Sequence, residues 1–376
     1  MNLTELQPLK GVRVLSLAQQ LPGPYAGMLL RELGADVILV EQTTGGDPAR
    51  AVAPFFESVN RGKRSIALDL KSPQGAEAFR RLAATSRVVL EGFRPGVAAR
   101  LGVDFDAIRA IREDVVYCSI SGYGQDVAER LVPGHDISYQ ARAAGLTPSS
   151  QHEEGEGYPV ADLSAAMFAA LAVTCALHRS DPLYFDLSLA DSVLAWKIPQ
   201  LALEWRTGGK GGVAAQQPAY GLFRTRDGWV SLSVMHEDHF WAALCAALGL
   251  DDIARLSAQR RQLQVHELRE KIAAAILPCR TRDLIDLLVP AGVPVGLVNN
   301  AQSVLDDPLF RQRGIVVGTP GEEVARTPLG RELQTVETAP RHGADSTAIL
   351  LDLGYTSEEV TALIDMGVVT TATVAF

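Results

Sequence analysis

A doubly wound, mostly parallel α/β domain followed by a smaller α+β unit is the fold class this sequence predicts, and three observations predict it. Short apolar runs alternate with helix-spaced segments through the first half of the chain. A polar, glycine-rich stretch from Thr207 to Ala215 then breaks the rhythm. Beyond it, two strand-like runs flank Asp227-Gly228, a strong hairpin signal. At 376 residues the chain is longer than one hydrophobic core usually serves, so two domains are expected.

The elements follow in order. Residues 12–17 are a short apolar strand, Pro22-Gly23-Pro24 is a turn, and residues 25–33 have helical spacing that Gly34 ends as a C-cap. Residues 37–40 are the next strand, which stops at Glu41. Strands are predicted again at residues 65–70, 88–90 and 115–119, with helices between them at 74–84 and 106–112. This βαβ rhythm implies a parallel sheet with helices on both faces, and such sheets bind ligands beyond the carboxyl ends of their strands. A long buried helix is predicted at 161–178, a strand at 183–189, and one helix at 192–205. After the glycine-rich linker come the hairpin at 221–226 and 229–234, helices at 238–248, 264–275 and 281–289, and a strand at 293–297. Thr356 and Glu359 form a capping box that opens a short helix closed by Gly367.

Composition excludes several classes. Apolar residues make up 47% and charged residues 21%, so a packed globular chain is expected rather than a disordered one. The net charge is −9 and no Lys/Arg cluster makes a basic face, which argues against nucleic acid as a partner. The four cysteines are far apart and form no CxxC pair, so free thiols in a reducing cytoplasm are expected, with no disulfide framework or metal site. The first residues, Met1-Asn2-Leu3-Thr4-Glu5, show no positive region followed by an apolar run, so no secretory leader is expected. The most apolar stretch, residues 165–177, is too short to span a bilayer, and no membrane association is expected. A dinucleotide site is also excluded. The turn after the first strand reads Gln20-Leu21-Pro22-Gly23-Pro24-Tyr25 and lacks the glycine triplet that lets backbone approach a pyrophosphate.

A series of motifs carries a resemblance. Leu9-Lys10-Gly11-Val12-Arg13-Val14-Leu15 and Pro22-Gly23-Pro24-Tyr25-Ala26 come first, then Leu33-Gly34-Ala35-Asp36-Val37. Asn60-Arg61-Gly62-Lys63-Arg64-Ser65, Phe93-Arg94-Pro95-Gly96-Val97 and Arg100-Leu101-Gly102 follow. Ser121-Gly122-Tyr123-Gly124, Gly134-His135-Asp136, Ala161-Asp162-Leu163 and Leu353-Gly354-Tyr355 complete the series. In this order they resemble the CaiB/BaiF family, the class III CoA-transferases and their α-methylacyl-CoA racemase relatives. The resemblance implies a large Rossmann-like CoA-binding domain built from both chain ends and a smaller central α+β domain. The divisions it suggests are residues 1–206, a linker at 207–219, the small domain at 220–315, and a return at 316–376. It also implies an interlocked homodimer, with the active site shared between one subunit's large domain and the partner's small domain. The substrate is then an acyl-CoA, with no cofactor beyond its coenzyme A moiety.

Individual residues follow from the same resemblance. Asp162 is the expected catalytic carboxylate: nucleophile toward the thioester in a transferase, acid/base at the α-carbon in a racemase. Its plain structural alternative is an N-cap for the helix it precedes. His135 resembles the second acid/base of the racemase branch, and an imidazole exchanges protons near neutrality. Glu237, in His236-Glu237-Asp238, resembles the acid that supports that histidine, while an acidic helix start is its plain reading. Asp136 reads as structural. Arg94 and Arg100 match CoA-contacting positions, since the guanidinium fork suits phosphate oxygens, and Arg61, Arg64, Ala67 and Leu70 are further candidates. Leu21 stands where formyl-CoA-type transferases carry Gln, and their shielding glycine loop has no match. Against that, Leu163-Ser164-Ala165-Ala166 lacks the glycines usual after the racemase aspartate. The expectation is racemase-like α-proton exchange on a 2-methylacyl-CoA. The alternatives are CoA transfer through an aspartyl-CoA/anhydride intermediate on Asp162, or a non-catalytic acyl-CoA binder. The acyl group is left open, to be set by loops such as residues 145–158.

Overall fold

The structure, a computed structural model, describes residues 7–146, 158–208, 217–330 and 336–372. The glycine-rich residues 209–216 and most of the 145–158 loop lie outside the described residues. The chain divides into two compact units, Met1–Lys197 with Arg311–Phe376, and Ile198–Phe310.

The first unit is a seven-stranded sheet. Its strands are β1 (Arg13–Ser16), β2 (Asp36–Glu41), β3 (Arg64–Leu68), β4 (Val88–Glu91), β5 (Val116–Ser121), β6 (Leu183–Ser188) and, from the far end of the chain, β12 (Val369–Thr370). Their spatial order is β12-β3-β2-β1-β4-β5-β6. All pairs are parallel except β12 on β3. The helices used below are α1 (Pro22–Glu32), α2 (Ala53–Asn60), α3 (Pro73–Ala84), α4 (Val97–Leu101), α5 (Phe105–Arg109), α6 (Asp136–Arg142), α7 (Val160–Ala176) and α8 (Leu189–Trp196).

Both faces of the sheet are covered, and that is why the strands read as near-continuous apolar runs. Val14, Val88 and Val116 point to the core shared with α1, α6, α7 and α8. Their neighbours Leu15, Val89 and Tyr117 point to the core shared with α3, α4, α5 and the helices Ser346–Asp352 and Ser357–Asp365. Alanines at 161, 165, 166, 169 and 170 let α7 pack closely against its neighbours. The returning chain is fastened to β3 by side chains. Asp345 Oδ2 accepts from the Ser65 N–H at 2.8 Å, and Ser346 Oγ accepts from the Ala67 N–H at 3.1 Å.

Several elements differ from the sequence expectation. α1 begins at Pro22, because a proline in a first helical turn loses no hydrogen bond. Gly23 inside that turn cannot be replaced: a Cβ there would lie 2.0 Å from the Ala18 Cβ. The single helix expected at 192–205 is two, α8 and Ile198–Thr207, with Pro199 in the first turn of the second. α2 and α6 were not expected, being short and headed by turn-like residues.

The second unit packs an antiparallel sheet, β7 (Tyr220–Arg224), β8 (Trp229–Ser233) and β9 (Val295–Leu297), with four helices from Asp238 onward. The Asp227-Gly228 hairpin is present, closed by the Thr225 N–H on Gly228 O at 3.0 Å. Trp241, 1% exposed, anchors the core and donates its indole N–H to Ile253 O at 2.9 Å. The remaining strands, β10 (Val316–Val317) and β11 (Val324–Ala325), form a small hairpin in the first unit. All four cysteines are free. Among the described residues no helix is long and apolar enough to cross a membrane, and no His/Cys/Asp/Glu group could hold a metal.

Candidate active site

Strand order reverses between β1 and β4, so the loops leaving those strands diverge and open a crevice. A cleft of about 730 Å³ lies there. Its walls are the loop after β1 (Ala18 to Pro22), the loop after β4 (Gly92 to Pro95), the end of β5 (Ile120 to Gly122), the segment from Arg130 to Asp136, and the start of α7.

Asp162 lines this cleft from the third residue of α7. It is not the N-cap, a place Pro159 takes. Nor does it close a capping box, since proline has no N–H to offer a carboxylate. Asp136 does the capping instead. Its Oδ1 accepts from the Ala161 N–H at 2.7 Å and the Asp162 N–H at 3.1 Å, while Oδ2 accepts from Gln140 Nε2. Among the described residues nothing hydrogen-bonds to the Asp162 carboxyl. Burial, and then the nearby Asp136 charge, push that carboxyl up to about 7. The site therefore holds a carboxyl that is neutral or ionised near neutrality and is free of structural duty.

His135 lines the same cleft, exposed, as the N-cap residue of α6. Among the described residues no group hydrogen-bonds to its ring. The loop after β4 turns back through α4, which left-handed glycines bracket at Gly96 (φ 85°) and Gly102 (φ 65°). Arg94 enters that loop and lines the cleft, and Arg100 stands in the last turn of α4. Neither makes an ion pair among the described residues, so both guanidiniums are available to an anion.

The family model of CoA-transferase family III matches residues 9–346. The chain belongs to this family. It is 30% identical to the succinate–glutarate CoA-transferase of Agrobacterium fabrum, over 92% of this chain and 96% of that one. It is 31% identical to the succinyl-CoA:mesaconate CoA-transferase of Haloarcula marismortui, over 97% and 98%. A CaiB/BaiF family protein from Brucella suis superposes with a TM-score of 0.80 at 27% identity, covering 92% of this chain and 99% of that one.

Other candidates of this family member lie elsewhere. Arg64 sits at the amino end of β3, away from the cleft, and forks onto Asp36 with Nε–Oδ1 at 2.9 Å and Nη2–Oδ2 at 2.5 Å. Arg13 shares that aspartate at 2.9 Å. Burial favours a neutral Asp36, but the hydrogen bonds from Arg64 and Arg13 outweigh it and hold its carboxyl below the usual range. Arg61 donates to Ala325 O at 2.9 Å, also before β3 begins. Ala67 is buried within β3, and Leu70 packs against the core just past its carboxyl end. Glu237 belongs to the second unit, as the N-cap residue of the helix Asp238–Leu248. Backbone hydrogen bonds, its own N–H first, hold its carboxyl below the usual range.

Several residues with a part in these sites were missed. Arg261 is fully buried and clamps both neighbours of Glu237, through Asp238 Oδ1 at 2.7 Å and His236 O at 3.0 Å. Lys63 is buried under α1, donating to Pro24 O at 2.7 Å and Asn60 Oδ1 at 2.8 Å, and burial pushes its ammonium down to about 7. Gln20, in the cleft wall, has φ 67°, held by its N–H on both carboxylate oxygens of buried Asp47 at 3.2 Å. Arg130 is a second cation of the cleft wall. The motif Asn60 to Ser65 held Lys63 in plain sight; the others carry no local signal.

Proposed function

We propose that this chain moves coenzyme A between carboxylic acids, with the Asp162 carboxylate as nucleophile. The observation that carries the proposal is a cleft carboxyl relieved of capping by Asp136 and pushed up to about 7. The relatives named CoA-transferases support this reading over the α-proton exchange that the sequence favoured.

The chemistry balances without an added reactant. Asp162 attacks the donor's thioester carbonyl, the C–S bond breaks, and the thiolate leaves a mixed anhydride. The thiolate then attacks the aspartyl carbonyl, releasing the donor acid as its carboxylate and forming an aspartyl-CoA thioester. An acceptor carboxylate displaces the thiolate to form a second anhydride. The thiolate returns to the acceptor's carbonyl, which frees Asp162. We assign Arg94, which lines the cleft, and Arg100, in the helix that follows it, to the CoA phosphates, because neither makes an ion pair among the described residues. The succinate, glutarate and mesaconate in the relatives' names are short dicarboxylic acids, the first class to try as acceptors here.

We further propose a homodimer, interlocked as the family resemblance implies, in the reducing cytoplasm that free thiols fit. α7 is apolar almost all round, yet Met167 is 47% and Leu171 59% exposed, and Trp196 of α8 is 50% exposed. A helix apolar all round belongs in an interior, and a second subunit would supply it. Sedimentation should find a dimer; a monomer at micromolar concentration would contradict this.

The second reading, racemisation, rests on His135 and Asp162 lining one cleft. In that reading Glu237 supports His135 from the partner subunit. One experiment separates the two. The protein is incubated in D₂O with a 2-methylacyl-CoA, with and without an acceptor acid. Transfer predicts new acyl-CoA only when the acid is present and only with Asp162 intact. Deuterium at the α-carbon without an acceptor, lost in His135→Ala, would establish racemisation instead.

A further inference from the structure

We infer that Arg130 binds the distal carboxylate of a dicarboxylic acyl group and so sets the substrate class of the cleft, an inference that rests on the transfer reading for its catalytic meaning. Only two Lys or Arg side chains line the cleft among the described residues, Arg94 and Arg130. They arrive on different walls: Arg94 on the loop after β4, Arg130 on the segment leading into α6. Arg94 is followed by Arg100 in the last turn of α4, a pair suited to phosphates. Arg130 stands instead at the head of the segment that carries His135 and ends at Asp136, whose carboxylate caps the catalytic helix.

Among the described residues, no nearby carboxylate neutralises Arg130. The adjacent Glu129 is taken by Arg142, with Nη2–Oε1 at 3.0 Å. Asp136 is occupied by the backbone of α7 and by Gln140. Arg130 itself makes no ion pair among the described residues. Directly after it, Leu131 and Val132 line the same cleft and are 56% and 49% exposed. An apolar strip ending in an unneutralised guanidinium matches a short methylene chain ending in a carboxylate. Methylenes remove Leu131 and Val132 from water, and the carboxylate takes the guanidinium fork. A monocarboxylic acyl chain of equal length would desolvate the arginine without pairing it, which is costly.

The test compares two thioesters of five carbons, glutaryl-CoA and pentanoyl-CoA. Dissociation constants are measured in an Asp162→Asn background, where turnover cannot interfere. The expected result is a preference for glutaryl-CoA that falls about 10–100-fold in Arg130→Ala, the range of one charge-assisted pair. Arg130→Lys, which keeps the charge without the fork, should recover part of it. An unchanged preference would overturn the inference, as would equal weakening of both thioesters, which would put Arg130 on the CoA phosphates. Because binding is read apart from turnover, failure of the transfer reading shows separately, as wild-type protein that makes no acceptor-dependent acyl-CoA.

Discussion

The two ends of the parallel sheet treat arginine in opposite ways. At the amino ends of β1, β2 and β3, Arg13 and Arg64 converge on Asp36, and the three side chains satisfy one another. At the carboxyl ends, Arg94, Arg100 and Arg130 have no carboxylate among the described residues. The first arrangement fastens three strands; the second leaves charge standing where an anion can take it. The same contrast recurs between two aspartates. Asp136 gives one oxygen to two backbone N–H groups and the other to the Gln140 amide, whereas Asp162, on the helix those N–H groups begin, accepts from none of the described residues. Residue type alone therefore says little; what the side chain is already bound to separates structure from chemistry.

The sharpest way to break the contrast is at the aspartates. Asp162→Asn should lower kcat at least ~10³-fold while leaving the dissociation constant for CoA within about twofold, as expected for a lost nucleophile. Equal loss of CoA affinity would place Asp162 in the fold rather than in the chemistry. At the arginines, Arg94→Ala with Arg100→Ala should raise the KM for acyl-CoA ~10–100-fold, an effect that weakens with added salt. Arg64→Ala should leave that KM alone and lower stability instead, and a raised KM there would erase the distinction between the two ends.

Smaller effects sharpen it. Asp136→Ala removes a cap from α7 and should cost about 1–2 kcal/mol in denaturant unfolding, whereas Asp136→Asn keeps an acceptor oxygen and should cost less. Asp136→Asn also removes a like charge, so the pH at which Asp162 ionises, and the acid limb of kcat/KM with it, should move down. Asp162 itself is raised in the folded state, from 3.8 to about 7. Its favourable contribution is therefore complete below its unfolded value and is lost as pH rises through about 7. Asp162→Asn should then stabilise the protein relative to wild type at pH 8, by about 1 kcal/mol after allowing for solvent screening, and by less as the pH falls to 5. The smallest expected change is the stability loss in Arg64→Ala, about 0.5–1 kcal/mol for a partly exposed pair.

Much of the architecture was readable from the chain because a sheet buried on both faces leaves an unmistakable trace. Residues 37–40 and 88–90 are solidly apolar, with helix-spaced segments between. Short helices left no such trace: α2 opens with Pro54 in its first turn, and α6 is seven residues long. Asp162 was found through the family resemblance of Ala161-Asp162-Leu163, since its position before an apolar helix reads by itself as an N-cap; its place at the third helical position, with Asp136 as the cap, needed coordinates. Arg64 shows a signal that was available. It is the first residue of its strand, and parallel sheets bind ligands at the other end. Arg130 and Arg261 could not be found this way, because their meaning lies in contacts across 23 residues and more, or in the absence of any.

The account depends on Asp162 becoming covalently acylated. Protein incubated with an acyl-CoA donor and then quenched with hydroxylamine should carry a hydroxamate at Asp162, located by peptide mass spectrometry. Steady acceptor-dependent transfer with Asp162 unmodified, or with the hydroxamate on another carboxylate, would contradict it.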